Sequence, residues 1–342
     1  MKRDIKSMTR EEVKILMEEL GEKAFRANQV FSWVHKGIKD FQEMSNISLG
    51  LRSKLEEKTY IPKMEIFEKL ESKLDDTRKY LIKLEDGNLI ESVAMVYHHG
   101  ISLCISSQVG CRMGCTFCAS TINGLVRNLR ASEILGQITL IQEDLGSRIS
   151  NIVMMGSGEP LDNLEEVKKF LDLVHDKDVL NIGYRHITIS TCGVVPGIYE
   201  MAKWNIPINL ALSLHSPTDE KRKQVMPIAK AFDLNKVIEA CDYYGKTTGR
   251  RVTFEYSLIG GFNDSKEDLD LLVKLLKGKL AHVNLIPVNP IEERDYSRPS
   301  KEKINRFKEG LLKNKIEATV RREMGKDING ACGQLRNSRT KG

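Results

Sequence analysis

The spacing of apolar positions changes near residue 80 and divides the chain into two parts. Before that point the period is helical. Thr9-Arg10-Glu11-Glu12 has the form of a helix start, because a Thr hydroxyl can accept from backbone donors three residues on. Val13, Leu16, Met17 and Leu20 then recur on one face. A second helix fits residues 27–36, with Val30, Phe31 and Val34 on one face, and a third fits 48–58. These segments predict a small helical module over residues 1–75, able to fold separately. From Tyr80 the period shortens. Residues 80–84 and 89–97 read as strands joined through Asp86-Gly87-Asn88, a hairpin signal. Residues 101–106 form another apolar run. Strand-like runs at 151–155, 186–190, 208–214, 252–258 and 282–288 then alternate with helix-like stretches at 131–145, 164–175, 195–203, 234–245 and 265–276. Such alternation implies parallel strands with helical crossovers. Six units predict an α/β domain over 76–342 built on a partial (β/α)6 barrel, with functional groups at the C-terminal strand ends.

Composition bounds the function without choosing it. The 342 residues are 41% hydrophobic and 29% charged, as expected of a globular protein. No apolar run approaches the length that spans a bilayer. The charged start, Met1-Lys2-Arg3-Asp4-Ile5, lacks the apolar core of a signal peptide, so no membrane association and a cytoplasmic location are expected. A net charge of +6 permits an anionic partner such as RNA but does not require one. Seven cysteines, an odd number in a reducing compartment, point to metal ligation or catalysis before structural disulfides.

The chemistry is concentrated at residues 111–118, Cys-Arg-Met-Gly-Cys-Thr-Phe-Cys, directly after a strand. A C-x3-C-x2-C loop offers three thiolates where a cubane iron–sulfur cluster ordinarily takes four. One iron is thereby left open to a substrate or cofactor. Zinc would call for a fourth ligand and paired C-x2-C units, and buried cysteines packed as small hydrophobes are the other alternative.

This loop, with Phe117 before its last cysteine, resembles the radical S-adenosylmethionine superfamily. Met155-Gly156-Ser157-Gly158-Glu159-Pro160 resembles that superfamily's Gly-Glu-Pro segment. Further segments are similar to a narrower group, the RlmN family of 23S rRNA adenine-C2 methyltransferases, with its relative Cfr. They are Leu103-Cys104-Ile105-Ser106-Ser107-Gln108-Val109-Gly110-Cys111, Ser190-Thr191-Cys192-Gly193-Val194-Val195-Pro196, Leu212-Ser213-Leu214-His215, residues 282–290 and residues 320–335. The similarity extends to Phe25-Arg26-Ala27-Asn28-Gln29-Val30 in the helical part. Ser157 stands where the family usually has Met, and Asn329-Gly330 where it has Asp-Ala. Ile286-Pro287-Val288-Asn289 is similar to RlmN rather than to Cfr, which attacks C8 of the same base.

The resemblance implies a [4Fe–4S] cluster on Cys111, Cys115 and Cys118, and two molecules of S-adenosylmethionine per turnover. The thiolate of Cys332 would take a methyl group from the first. A 5′-deoxyadenosyl radical from the second would remove hydrogen from that methyl, and the carbon radical would add to C2. Cys104 would then attack the Cys332 sulfur, release the product and leave a disulfide for later reduction. Glu91 would accept a proton. Gly158 and Glu159 would hold the amino group of the nucleotide, while Ser190, Ser213, Leu214, His215 and Asn289 would reach its ribose, carboxylate and adenine. Substrates would be 23S rRNA and an adenosine beside the anticodon of tRNA, with a cellular electron donor such as flavodoxin.

Taken alone, several of these residues have plainer readings. Cys104 on an apolar strand is a core cysteine, Glu91 in an alternating strand faces solvent, and His215 is structural. Cys332, between glycines, is left open, and Cys192 and Cys241 are read as structural. Residues 127–130, 246–251 and Arg321-Arg322 are basic segments that suit either RNA or solvent. A Cfr-like C8 methyltransferase, a radical enzyme acting on a small molecule and an electron-transfer protein are the alternatives. The last would need a fourth nearby cysteine and no nucleotide.

Overall fold

The computed structural model describes residues 2–289, 296–330 and 333–335. Its elements follow the predicted order. A two-residue strand β1 (Arg3–Asp4) leads into helices α1 (Arg10–Glu19), α2 (Phe25–His35) and α3 (Leu49–Lys58), and β2 (Thr59–Tyr60) pairs back on β1. Thr9 caps α1 as expected: its hydroxyl accepts from the Glu12 amide, and the Glu12 carboxylate accepts from the Thr9 amide.

Strands β3 (Met64–Glu71), β4 (Arg78–Leu84), β5 (Leu89–Tyr97) and β6 (Gly100–Cys104) follow as an antiparallel run. A short hairpin, β7 (Gln108–Gly110) with β8 (Leu125–Asn128), carries the cysteine loop between its arms. Helix α4 (Ala131–Leu145) then opens the alternation of β9 (Ile149–Met154), α5 (Leu164–His175), β10 (Ile187–Thr191), α6 (Val195–Lys203), β11 (Asn209–Ser213), α7 (Asp219–Val225), α8 (Leu234–Thr248), β12 (Val252–Leu258), α9 (Lys266–Leu276), β13 (Ala281–Pro287), α10 (Lys301–Lys313) and β14 (Glu317–Val320).

Ten strands form one sheet in the order β14-β13-β12-β11-β10-β9-β6-β5-β4-β3. The six strands of the predicted units, β6 and β9 to β13, are parallel neighbours in chain order. This is the expected partial barrel, mixed α/β, extended by β14 on one side and the antiparallel run on the other.

One expectation fails locally. Residues 64–71 were read with the helical module, yet they form the edge strand β3 and bond to β4. The boundary expected after residue 75 therefore falls inside the sheet's own chain. An edge strand buries little, and the bulge between Ile66 and Glu68 breaks its two-residue period, so the segment carries no strand signal. The module also shares its core with the sheet. Val13, Leu16, Phe31, Leu51 and Leu55 belong to the same buried cluster as Ile82, Leu103 and Ile152. No described helix is long and apolar enough to cross a membrane.

Candidate active site

The parallel strands end on one side of the sheet, and a cavity with about 960 Å³ of unfilled space, measured out to its mouth, opens there. Its walls include Cys111, Cys115, Cys118, Gly158, Glu159, Ser190, Ser213, His215 and Asn289. Nine residues scattered over nearly 180 positions thus meet at one place because each lies at or just beyond a strand's C-terminal end.

The cysteine loop is held from several sides. Gly110 has a φ of +74°, and a Cβ there would come within 2.0 Å of the Gly124 carbonyl oxygen, so the loop's entry excludes any side chain. The Cys111 amide donates to that same oxygen at 2.9 Å. Thr121 Oγ1 donates to the carbonyls of Cys115 and Cys118 at 3.1 and 2.9 Å. The Thr116 amide donates to Val225 of α7, and the Ala119 amide to Gly333, at 2.9 and 2.8 Å.

Opposite the loop, Gly156 to Glu159 leaves β9. Gly158 has a φ of +105°, and a Cβ on it would lie 2.7 Å from the Gln108 amide nitrogen, so this backbone comes to the cavity bare. Glu159 is buried, and burial raises its pKa. Its carboxylate accepts from the Cys192 amide at 2.7 Å and from the Leu161 amide at 3.1 Å. These bonds tie the end of β9 to the end of β10 and leave the carboxylate on the cavity wall.

His215 has φ +54° and sits edge-on to Phe117, with ring centroids 4.6 Å apart. Its Nδ1 accepts from the Ser257 amide at 2.9 Å, so the neutral ring carries its proton on Nε2. Burial, followed by the charge of Arg222, lowers its pKa to about 3. His35, the last residue of α2, is lowered to about 4, mainly by burial. Unfolded histidine titrates near ~6.5. From there down to about pH 4 the unfolded chain binds two protons that the folded chain refuses. Stability should therefore fall as pH drops through this range, by at most ~1.4 kcal/mol per pH unit for each histidine. Urea-unfolding curves at pH 7 and pH 5 check this, and His35→Phe should remove about half of the slope.

A second cavity adjoins the first and shares Met155, Ile286, Asn289 and Arg321 with it. Cys104 lies in its wall, 5% exposed, packed with Val93, Met95, Met324 and Leu335. Cys332 falls outside the described residues. Nearby positions bracket both cavities: Gly333 lines the first, while Gly330 and Leu335 line the second. Ser120 Oγ donates to the Leu335 carbonyl at 2.6 Å and fastens this segment to the cysteine loop.

Glu91 corrects the solvent-facing reading. It is 3% exposed and pairs with Lys79 Nζ at 2.7 Å. It shares a strand face with Val93 and Met95 of the second cavity, two residues on. Lys79 Nζ also donates to the Asn329 carbonyl at 3.3 Å, so the ion pair reaches toward the C-terminal segment.

Leu214 departs from expectation, since its side chain lies wholly in the core and outside the cavity wall. Cys192, read as structural, lines the first cavity, as do Glu255 and Arg321. Glu255 is buried with its pKa raised by that burial, and it accepts from Asn284 Nδ2 at 2.9 Å. No motif flagged it, and it stands in the middle of the predicted strand 252–258, where position alone gives no signal. Among the basic segments, Arg127 and Arg130 both pair with Glu133, while Arg251 pairs with Glu317 at the opposite end of the strands. Arg321 and Arg322 line the second cavity.

The donor set fits an iron–sulfur cluster. Burial and then the neighbouring thiolate of Cys118 push the Cys111 thiol up to about 12. Burial and then the charges of Cys118 and Cys111 push Cys115 up as well. Thiols crowded in this way keep their protons until a multivalent cation displaces them. Among the described residues no three His, Cys, Asp or Glu side chains converge on a single ion. Cys111, Cys115 and Cys118 would each supply one thiolate to such a cluster.

Comparison with known proteins agrees with this geometry. The profile of the ribosomal RNA large subunit methyltransferase N-terminal domain matches residues 3–61, and that of the radical SAM superfamily matches residues 105–275. The chain is 58% identical to a probable dual-specificity RNA methyltransferase RlmN of Clostridioides difficile, over 97% of each chain. It is 57% identical to the protein of the same name from Alkaliphilus oremlandii, again over 97% of each. The crystal structure of a radical SAM methyltransferase from Sphaerobacter thermophilus superposes with a TM-score of 0.90 at 39% identity, covering 98% of this chain and 99% of the other. With its cysteine loop, its strand-end cavity and relatives alike over almost their full length, the chain belongs to the RlmN family of radical S-adenosylmethionine RNA methyltransferases.

Proposed function

We propose that this enzyme methylates C2 of an adenosine in 23S rRNA, and of an adenosine beside the anticodon in tRNA, through a methyl group carried on Cys332. The observation that carries the reading is the pair of adjoining cavities. One holds the three cluster cysteines and the other holds Cys104, and residues close to Cys332 in sequence line both. An sp2 carbon such as C2 is not nucleophilic, so ordinary displacement on a sulfonium cannot methylate it. A second thiol beside the first accounts for how a protein-bound methyl could leave again.

Cys111, Cys115 and Cys118 would hold the [4Fe–4S] cluster. Gly158 offers bare backbone to the nucleotide, and Glu159 its carboxylate to the amino group. Ser190, Ser213, His215 and Asn289 would bind ribose, carboxylate and adenine, and Leu214 could contribute through its backbone alone. When bound and reduced, the cluster and S-adenosylmethionine supply a radical able to abstract hydrogen from a methyl group. The Cys332 thiolate takes that methyl beforehand by displacement from a first S-adenosylmethionine. Glu91, held by Lys79, accepts a proton from the RNA adduct. The Cys104 thiolate attacks the Cys332 sulfur, forming an S–S bond as the C–S bond breaks; the carbon leaves with that electron pair and takes up a proton to become the methyl group, the adduct's one unpaired electron passes to the oxidised electron donor, and a thiol reductant restores both cysteines. Flavodoxin is the class of electron donor expected. The helical module, with Phe25 exposed on α2 and the half-buried Arg26 against its ring, is proposed as an accessory RNA contact in the cytoplasm.

The test is anaerobic reconstitution with methyl-labelled S-adenosylmethionine, a reductant and a 23S rRNA fragment, followed by digestion to nucleosides. Label in 2-methyladenosine is expected. Label in 8-methyladenosine, or none in the RNA, would overturn the reading.

A further inference from the structure

Arg222 is the largest fully buried side chain of the described residues, with 0% exposure, and no role described above uses it. It projects from α7, a helix whose end is bonded to the cysteine loop through Thr116 and Val225. Val225 and Met226 belong to the same buried cluster as Cys115 and Cys192. One guanidinium nitrogen, Nη2, donates to the Cys192 carbonyl at 2.6 Å. Nε and Nη1 are buried and have no hydrogen-bond partner. Gly193 makes room for the group, since a Cβ there would stand 3.0 Å from Nη2. Burial lowers its pKa, an effect opposed first by Cys192 and Cys115 beside it.

A guanidinium removed from water with two of its three nitrogens unmatched is costly unless an anion lies nearby. A cluster held by three thiolates is anionic, and taking up one electron adds a further negative charge. Nearby charge is one of the levers that set the potential of such clusters. A fixed cation in a dry wall acts strongly because little solvent screens it.

We propose that Arg222 is a positioning residue that serves as the buried counter-charge of the cluster on Cys111, Cys115 and Cys118, and that it raises the cluster's reduction potential. The inference rests on the assignment of those three cysteines to the cluster. It assigns to α7 an electrostatic task beyond bracing the end of β10.

The test compares wild type, Arg222→Lys and Arg222→Met, each reconstituted as the full chain without S-adenosylmethionine. Iron and sulfide content are measured first. Each protein is then titrated with dithionite and mediator dyes, and the fraction reduced is read from the electron paramagnetic resonance signal of the one-electron-reduced cluster. Arg222→Met should disfavour reduction at least tenfold, equivalent to a potential lower by ~59 mV for one electron. Arg222→Lys, which keeps the charge but loses the fork that grips Cys192, should stay close to wild type. An unchanged potential in Arg222→Met, or a Lys variant shifted as far as Met, would overturn the proposal. So would an Arg222→Met apoprotein that fails to fold, since the guanidinium would then be needed for packing. Wild-type protein that takes up no cluster would instead overturn the assignment of the three cysteines.

Discussion

Cys332→Ala should abolish methyl transfer to RNA while leaving iron content and S-adenosylmethionine cleavage intact. The residues proposed to hold the cluster and the nucleotide line the first cavity and do not include residue 332, so on that proposal loading and reductive cleavage have no need of it. Methyl transfer, by contrast, would lose the sulfur on which the methyl group is carried. Removal of a covalent nucleophile commonly costs on the order of 10⁴-fold or more in rate, and no neighbouring thiol replaces it in kind. Cys104 lies in the adjoining cavity rather than in the wall of the first. Three measurements check the prediction: iron per chain, 5′-deoxyadenosine released under reducing conditions, and label in digested RNA. Methylated RNA from the Ala variant would show that the methyl group travels by another route.

The second large effect is expected at Cys104, and its sign is different. Cys104→Ala should not stop the reaction early but strand it late, with RNA covalently attached to the protein. Every group needed to form the carbon–sulfur link to the base remains present. What would disappear is the thiolate proposed to break it. Product should fall by about 10³-fold or more, and close to one RNA per active chain should accumulate as an adduct that survives denaturing electrophoresis. The substitution itself is mild. It deletes one sulfur from a small apolar cluster with Val93, Met95, Met324 and Leu335, at a cost on the order of 1 kcal/mol. Thermal melts of the variant should therefore remain near wild type. Free methylated RNA without adduct would remove Cys104 from the mechanism. The structure favours the assignment because Glu91 shares this strand face: the thiol and the buried carboxylate stand on neighbouring strands, under the C-terminal segment that Lys79 touches.

Much of this architecture was legible in the one-dimensional pattern. Helices α4, α5 and α6 begin and end at the residues the periodicity predicts, and the hairpin through Asp86-Gly87-Asn88 joins β4 to β5. These features are local: a cap, a period or a turn depends on residues within a few positions of each other. The cysteine loop was legible for the same reason, since its ligands lie within eight residues. β3 was not. Its edge position gives it one hydrogen-bonded neighbour and a half-exposed surface, so its residues are under little pressure to alternate.

The site shows the same division. The motif and the family resemblance named the cysteines, the Gly-Glu pair and the strand-end polar residues. Neither could tell which charged side chains are buried, because burial depends on what packs over a residue from distant parts of the chain. Glu91 in an alternating strand reads as solvated, yet β5 lies inside a ten-stranded sheet, and Lys79 from the next strand neutralises it. Arg222 sits in the short, mostly charged helix Asp219–Val225. The fold turns that one residue inward against Cys192. Local spacing thus specified the elements and the metal-binding loop. The environment of each ionisable group, and the junction of two cavities between Cys111 and Cys104, came from contacts far apart in sequence, which no local pattern encodes.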